Sequence, residues 1–244
     1  MQSGNPVLRS GVFGPAQPAE DLMTVQGAVT KALILLGILL AGAAVVWAPA
    51  YADPTSEIVN IALWGGMIGG LVLGLLTSFV PKLAPFTSPF YALFEGVFLG
   101  ALTATMEVIY PGIAIQAVSL TLATCFAMLA LYRTGVLRAT PAFRRGVFAA
   151  TAAIALVYLA SFVMRFFGME MPYLHDAGPI GIGISAVIVG IAALNLILDF
   201  DLIERGAQGG APKHMEWYAA FALMVTLVWL YLEILRLLSK LRER

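Results

Sequence analysis

Five acidic residues stand in or beside the last two apolar stretches of the chain. These stretches read NLILDFDLIERG and MEWYAAFALMVTLVWLYLEILRLL, and the acids are Asp199, Asp201, Glu204, Glu216 and Glu233. An ionised carboxylate at the centre of a bilayer costs roughly 2.5–3.5 kcal/mol on insertion scales. Carboxylates kept at such positions usually face a bundle interior, a partner or a water path. We therefore predict that the functional site lies among these acids.

The composition indicates an integral membrane protein. Of the 244 residues, 60% are hydrophobic and 11% are charged, whereas soluble domains have about 45–50% apolar and about 25% charged residues. The 14 basic and 14 acidic residues balance, so no whole-chain field favours nucleic acid. Cys125 is the single cysteine, and His175 and His214 form no metal-ligand motif. We expect neither an enzyme nor a bound cofactor.

Seven apolar runs are long enough to cross a bilayer core, which needs about 20 helical residues. The predicted spans are 28–50, 58–79, 90–109, 113–132, 147–167, 180–200 and 217–238. Three prolines between residues 81 and 89 predict a backbone break before the third span. Residues 1–27 mix glycine, proline and acids without an apolar period, and they predict a disordered tail. The expected organisation is a tail, 1–27, and a seven-helix transmembrane domain, 28–241.

The positive charges predict the orientation. The loop between the fourth and fifth spans has the densest basic cluster: Arg133, Arg138, Arg144 and Arg145. By the positive-inside rule this loop and the N-terminus are cytoplasmic. Seven spans then put four terminal cations on the far side, which the rule does not favour: Arg236, Lys240, Arg242 and Arg244.

Asp201 and Glu233 are the main candidates for proton-sensitive chemistry. Asp199 and Asp201 lie about 200° apart around a helix, so at most one faces the bundle centre, whereas Asp201 and Glu204 share a face. In one interpretation the acids near Asp201 are the solvated end of the sixth helix, and Glu233 pairs with Arg236 at i,i+3. In the alternative, Glu233 couples to a carboxylate of the sixth helix as a proton switch.

Two further features lie in the second and third spans. Glu95 stands in FYALFEGVFLG without a basic residue within a helical turn, so it either lines a cation path or bonds a neighbouring helix. Gly66, Gly70 and Gly74 are four residues apart. Overlapping GxxxG steps of this kind let helices approach closely in lipid.

Three segments resemble the Bax inhibitor-1 family of transmembrane proteins, in its bacterial branch. They are EGVFLG with the following YPGIAIQAVSLT, NLILDFDLIE, and LYLEILRLL. The resemblance extends over about residues 58–241. It implies an all-α membrane protein of the bacterial inner membrane, a seven-transmembrane-helix bundle with the last helix central. It also implies passive, pH-dependent conduction of calcium.

The resemblance implies a particular sensor. Bacterial relatives have a pair of aspartates, one in a Tyr-Asp step ending helix six and one in a Leu-Tyr-Leu-Asp step of helix seven. Phe200 and Asp201 match the first step, and Leu230 to Glu233 match the second, with glutamate in place of aspartate. The arginine that ties the pair together in relatives has no counterpart in helix two here.

The expected function is a pH-sensitive calcium leak channel or Ca²⁺/H⁺ exchanger, gated by Asp201 and Glu233. Glu95, Asp199 and Glu204 are possible ion-path residues, and deprotonation restores the attraction for a hard cation. Expected partners are the lipid bilayer, Ca²⁺ and H⁺. The alternative is a non-conducting regulator that binds a membrane protease or another helical partner through the glycine face and the tail.

Overall fold

The structure, a computed structural model, describes residues 22–169, 171, 174 and 176–243. The described residues form seven long helices and no strand. The helices are α1 Val25–Ala52, α2 Glu57–Phe79, α3 Ala84–Ile109, α4 Ile113–Arg133, α5 Pro141–Phe166, α6 Pro179–Gln208 and α7 Met215–Arg242. All seven are long and apolar enough to cross a membrane, which confirms the predicted all-α bundle. Most of the expected tail, residues 1–21, lies outside the described residues, and residues 25–27 already belong to α1.

Several helices extend beyond the predicted apolar spans. α6 continues to Gln208, so all the acids near Asp201 lie within it. α3 begins at Ala84, and the backbone break is confined to the short 3-10 turn at Pro81–Leu83. Pro85 fits the first turn of α3, where its missing N–H has no intrahelical acceptor. Pro89 lies one turn later, where it removes a single backbone hydrogen bond.

The last helix is central, as expected. α7 packs against α1, α3, α4 and α6, and it has the largest buried share of the seven helices. Two apolar clusters meet on it: one joins α4, α6 and α7 around Leu196 and Leu230, and the other joins α1, α3 and α7 around Leu35 and Met224. α2 packs on α3 and α1, and α5 packs on α6, so both lie at the outside of the bundle.

Small residues let α1, α2 and α3 pack closely. A Cβ added at Gly66 would lie 2.8 Å from the carbonyl oxygen of Phe94, and one at Gly100 would lie 2.5 Å from that of Ala43. Gly70 and Gly74 face Glu95 and Tyr91 of α3. Because apolar side chains gain little by leaving lipid for protein, such close packing is a main source of helix association in membranes. The predicted glycine face is therefore covered by α3.

Loop contacts define two ends of the bundle. At one end the Met23 N–H donates to the Ala211 carbonyl, and the α4–α5 loop lies beside the last turns of α6. We call this the Asp201 end. At the other end Arg242 donates to the Pro111 carbonyl. We call this the Glu233 end, and α7 runs from the first to the second.

Lys240 explains how a terminal cation is accommodated at the Glu233 end. It is 4% exposed, and its ammonium donates to the carbonyls of Leu174 and Gly181 and to the Ser185 hydroxyl, at 2.7 to 3.1 Å. These oxygens satisfy all three donors of the ammonium. Lys240 is therefore a packing residue that holds the α5–α6 loop and the start of α6 against α7.

Candidate functional site

Asp201 lies near the end of α6, 8% exposed, between two arginines. The Arg144 Nη2 atom of α5 is 3.0 Å from Oδ2 and 3.2 Å from Oδ1, and the Arg205 Nη2 atom, one turn further along α6, is 2.5 Å from Oδ2. A buried carboxylate needs such partners, because its desolvation is otherwise uncompensated. The ion pair with Arg144 ties α6 to α5.

A cavity of about 590 Å³ opens beside this cluster, between the α4–α5 loop and the end of α6. Glu204 lines it, and its carboxylate accepts hydrogen bonds from the Tyr132 hydroxyl at 2.5 Å and from the Gln208 amide at 3.3 Å. Asp201 lines it as well. Asp201 and Glu204 therefore share a face of α6, as their spacing predicts.

Glu233 is 2% exposed, within α7 toward the Glu233 end. Its carboxylate accepts hydrogen bonds from the Tyr158 hydroxyl at 2.8 Å and the Trp229 indole at 3.1 Å, and Arg236 pairs with it at 3.2 Å. Arg236 also donates to the Tyr158 hydroxyl, and its guanidinium carbon lies 4.9 Å from the centroid of that ring. The i,i+3 pair of the first interpretation is present.

The structure does not bring Asp201 and Glu233 together. Their α5 partners, Arg144 and Tyr158, are fourteen residues apart, which is about 21 Å along a helix axis. The reason is that the two residues lie at different heights along the bundle axis. Asp201 lies seven residues before the end of α6, whereas Glu233 lies eighteen residues after the start of the antiparallel α7. The second interpretation, a coupled carboxylate pair, does not match this geometry.

Asp199 faces the opposite side of α6, toward α7 and α4. Its carboxyl group has a hydrogen-bonding neighbour in Thr226 of α7. The Cys125 thiol of α4 is close enough for an electrostatic interaction with it. Its Oδ2 atom is buried without a hydrogen-bond partner in the described part of the chain. A carboxylate pair between α6 and α7 would need an acidic residue of α7 at this height along the bundle axis. Thr226 occupies that position.

Glu95 lies apart from these acids, between α2 and α3. Its carboxylate occupies the space left by the missing side chain of Gly70, where an added Cβ would be 2.6 Å from Oε1. Tyr91, one turn earlier on α3, is a hydrogen-bonding neighbour. Glu95 thus packs against α2 at Gly70, whereas its hydrogen-bonding neighbour Tyr91 belongs to its own helix.

Glu216, the fifth acid, is fully buried at the start of α7 and has a packing role. Lys31 and Lys213 pair with it at 3.0 and 3.1 Å, and the Thr24 amide and hydroxyl donate to it at 3.0 and 2.9 Å. The same Thr24 hydroxyl caps α1 by accepting from the Gly27 amide. Glu216 thereby fastens the start of α1 to α7.

Sequence reasoning missed the role of α5. In this helix only Val147 and Ser161 are buried. The polar contacts that attach it to the bundle include Arg144 to Asp201, Thr151 to the Asn195 amide at 2.9 Å, and Tyr158 to Glu233 and Arg236. We call Arg144, Thr151 and Tyr158 the α5 polar face.

The spacing of these residues is the signal that was available. They are seven apart, close to two helical turns, so they lie on one side of α5. From the sequence alone, Arg144 indicates only the orientation of the chain, and no motif singles out Tyr158. The two acids predicted to sense protons therefore hold the same helix at two levels.

Seven apolar helices that bury carboxylates and cations within the bundle define a multi-pass membrane protein. The chain matches the family described as Bax inhibitor 1 like over residues 5–243, nearly its whole length. It belongs to that family. No curated protein and no solved structure matches the chain.

Proposed function

We propose that the protein is a pH-sensitive passive calcium leak channel of the bacterial inner membrane, with its path along the α5 polar face. The observation that carries the proposal is that Asp201 and Glu233 hold the same helix, α5, at two levels. Membership of the Bax inhibitor 1 like family supports the broader class of membrane protein. The function is transport rather than catalysis, and Ca²⁺ is the cargo rather than a cofactor.

The interface of α5 with α6 and α7 suits a cation path. The polar residues of α5 from Arg144 to Ser161 extend over about 25 Å along the helix axis. This length is close to the thickness of a bilayer core, roughly 30 Å. Thr151, Asn195 and Tyr158 supply neutral oxygens along it. Oxygen ligands are what a calcium ion needs when it sheds water. Because little apolar surface is buried by α5, moving this helix outward exposes few apolar groups to water.

Protonation weakens the attachment of α5 at Asp201. A neutral Asp201 loses its attraction for Arg144 and Arg205, whereas a neutral Glu233 keeps the hydrogen bond from Tyr158 and loses its attraction for Arg236 and for the nearby Lys240 of its own helix. α5 then separates more readily from α6 and α7, so acid increases the leak. This sign is opposite to that expected for a bare carboxylate pair, because here the ionised acids hold the interface closed.

We assign the Asp201 end to the cytoplasm, and with it the N-terminus. The cations at that end are Lys31, Lys82, Arg133, Arg138, Arg144, Arg145, Arg205 and Lys213. Fewer described cations lie toward the Glu233 end: Arg165, Arg236, Lys240 and Arg242. An excess of lysine and arginine marks the cytoplasmic side.

The test is Ca²⁺ entry into dye-loaded liposomes that contain the purified full-length chain, measured over a pH range that extends well into acid. We expect wild-type flux to rise as the pH falls, and Asp201→Asn to give a high flux that no longer depends on pH. The matched control is Glu57→Gln, which neutralises an exposed acid without a contact to α5. No flux above empty liposomes at any pH would exclude the leak. An unchanged pH profile in Asp201→Asn would move the sensor elsewhere.

The alternative remains a non-conducting regulator of a membrane protease or another helical partner. Its expected docking surface, the glycine face at Gly66, Gly70 and Gly74, is covered by α3, so the structure offers it no specific support. A regulator is silent in liposomes that lack its partner. A Ca²⁺/H⁺ exchanger, in contrast, would acidify or alkalise the lumen in step with calcium entry, which a second dye measures.

A further inference from the structure

The cavity at the Asp201 end has a basic wall. Arg133 at the end of α4 and Arg138 of the α4–α5 loop line it together with Tyr132, and Asp201 and Glu204 line the side formed by α6. Its volume of about 590 Å³ is large enough for a small polar group, since ligand pockets measure about 300–1,000 Å³.

The carboxylates of the cavity are already satisfied, whereas two of its arginines are not. Asp201 is bound by Arg144 and Arg205, and Glu204 accepts from Tyr132. Arg133 and Arg138 form no ion pair within the described residues. Arg138 uses Nε to donate to the Gly135 carbonyl at 3.1 Å, which leaves its terminal amino groups for a ligand. Glu204 keeps its negative charge, because its donors Tyr132 and Gln208 are neutral. The two carboxylates are nevertheless accompanied by four arginines, so the cavity and its walls have a net positive charge.

The neighbouring side chains set the depth of the cavity in the membrane. Phe126 on α4 and Phe148 on α5 are 67% and 73% exposed, each about two helical turns from the α4–α5 loop. Such side chains are stable against acyl chains, and a tyrosine such as Tyr132 is typical of the membrane–water boundary. These neighbours indicate that Arg133 and Arg138 lie at the level of lipid headgroups.

We infer that this cavity binds the phosphodiester of an anionic phospholipid from the adjoining leaflet, with Arg133 and Arg138 as its donors. Guanidinium groups donate pairs of hydrogen bonds to phosphate oxygens, and basic pockets between transmembrane helices bind anionic headgroups on the cytoplasmic side. The acyl chains lie along Phe126 and Phe148. A zwitterionic headgroup is disfavoured, because its ammonium would meet the arginines. The inference does not depend on the proposed leak.

The test is thermal unfolding of the purified full-length chain in neutral detergent with short-chain phosphatidylglycerol, with phosphatidylcholine of equal chain length, or with inorganic phosphate. A ligand of the native state raises the unfolding temperature as its sites fill. We expect a saturable rise with phosphatidylglycerol alone. An equal rise with phosphatidylcholine would mean that the acyl chains alone account for the binding, and would overturn the inference. An equal rise with inorganic phosphate would identify a soluble anion as the ligand and overturn the lipid source.

The variants locate the site. Arg133→Gln with Arg138→Gln should weaken phosphatidylglycerol binding about thirtyfold, since each interfacial arginine contributes about a fivefold change. Lys82→Gln with Arg145→Gln removes two exposed cations from the same end but outside the cavity, and should leave the binding unchanged. Equal losses in the two double variants would indicate general surface charge and overturn the site. If the first double variant unfolds without lipid, the single variant Arg133→Gln should still lose about fivefold, and no loss would overturn the inference.

Discussion

The two ends of the bundle hold a buried carboxylate in different ways. At the Asp201 end the acid of α6 pairs with Arg144 of α5, across a helix interface and beside a polar cavity. At the Glu233 end the acid pairs with Arg236 of its own helix and reaches α5 only through the Tyr158 hydroxyl. The first attachment depends on charge, and the second depends on a hydrogen bond.

This difference decides how each attachment responds to protonation. A neutral Asp201 leaves two arginines at a helix interface without their counter-ion. A neutral Glu233 can still accept from Tyr158 and Trp229 through its carbonyl oxygen. We therefore expect the Asp201 end to be the stronger proton-sensitive contact, although both acids lie on the same polar interface.

The largest expected effect is that of Asp201→Asn. It should lower the free energy of unfolding by about 2 kcal/mol, less than the 3–5 kcal/mol of a fully buried pair, because both arginines are partly exposed. The measurement is denaturant unfolding in mixed micelles at pH 8. Arg144→Gln and the double variant Asp201→Asn with Arg144→Gln complete a double-mutant cycle, in which the loss of the double variant should be clearly smaller than the sum of the two single losses. Additive losses would contradict the interhelical pair.

Tyr158→Phe should have the second largest effect, about 1.5 kcal/mol, because it removes a hydroxyl that bonds a buried carboxylate and leaves that acceptor short of a partner. The same unfolding assay measures it. Tyr132→Phe is the matched control: it removes a hydroxyl from a more exposed carboxylate, Glu204, and should cost clearly less. Equal losses in the two variants would mean that Tyr158 does not attach α5 to α7.

Glu233→Gln should cost less, about 1 kcal/mol, because the glutamine carbonyl keeps the bonds from Tyr158 and Trp229 and only the ion pair with Arg236 is lost. Comparison with Asp201→Asn in one preparation tests the contrast between the ends directly. A loss for Glu233→Gln larger than for Asp201→Asn would reverse the contrast, and would make the Glu233 end the main proton-sensitive contact.

The fold was predictable because each transmembrane helix is encoded in a local apolar run. Those runs gave the seven helices to within a few residues, apart from the polar extensions such as α6 beyond Phe200. The central place of α7 came from the family resemblance, and not from any pattern in its residues. The glycine spacing predicts a close-packed face of α2, and the helix that lies against this face, α3, is decided by tertiary packing.

The candidate site was less predictable, because the type of a residue does not tell at what height along the bundle axis it lies relative to residues of other helices. Asp201 and Glu233 match the motifs of a coupled pair, yet they stand about eleven residues apart in level, or roughly 16 Å. Thr226 stands near the level that the pair would need. The attachment of α5 depends on which residues of α6 and α7 lie opposite Arg144, Thr151 and Tyr158, and a single sequence does not contain this information.

The smallest expected effect is a change in the pKa of Tyr110, which tests where the end of α7 lies. The Tyr110 hydroxyl, at the α3–α4 turn, donates to the Glu243 carboxylate at 2.9 Å. This hydrogen bond raises the pKa of Tyr110 above its ordinary value of 10. The bond favours the protonated tyrosine, so its small stabilising effect is present below pH 10 and is lost as the pH rises through the raised pKa.

Ultraviolet difference titration of wild type against Tyr110→Phe isolates this one tyrosine among the eight in the chain. Glu243→Gln should bring its pKa back toward 10, because the carboxylate charge is removed while the neighbouring Arg242 keeps its bond to Pro111. Glu243 is exposed and Tyr110 is partly exposed, so the unfolding temperature should hardly change. If the pKa of Tyr110 is the same in Glu243→Gln as in the wild type, the end of α7 does not reach the α3–α4 turn. The contacts assigned to the Glu233 end would then need a different arrangement.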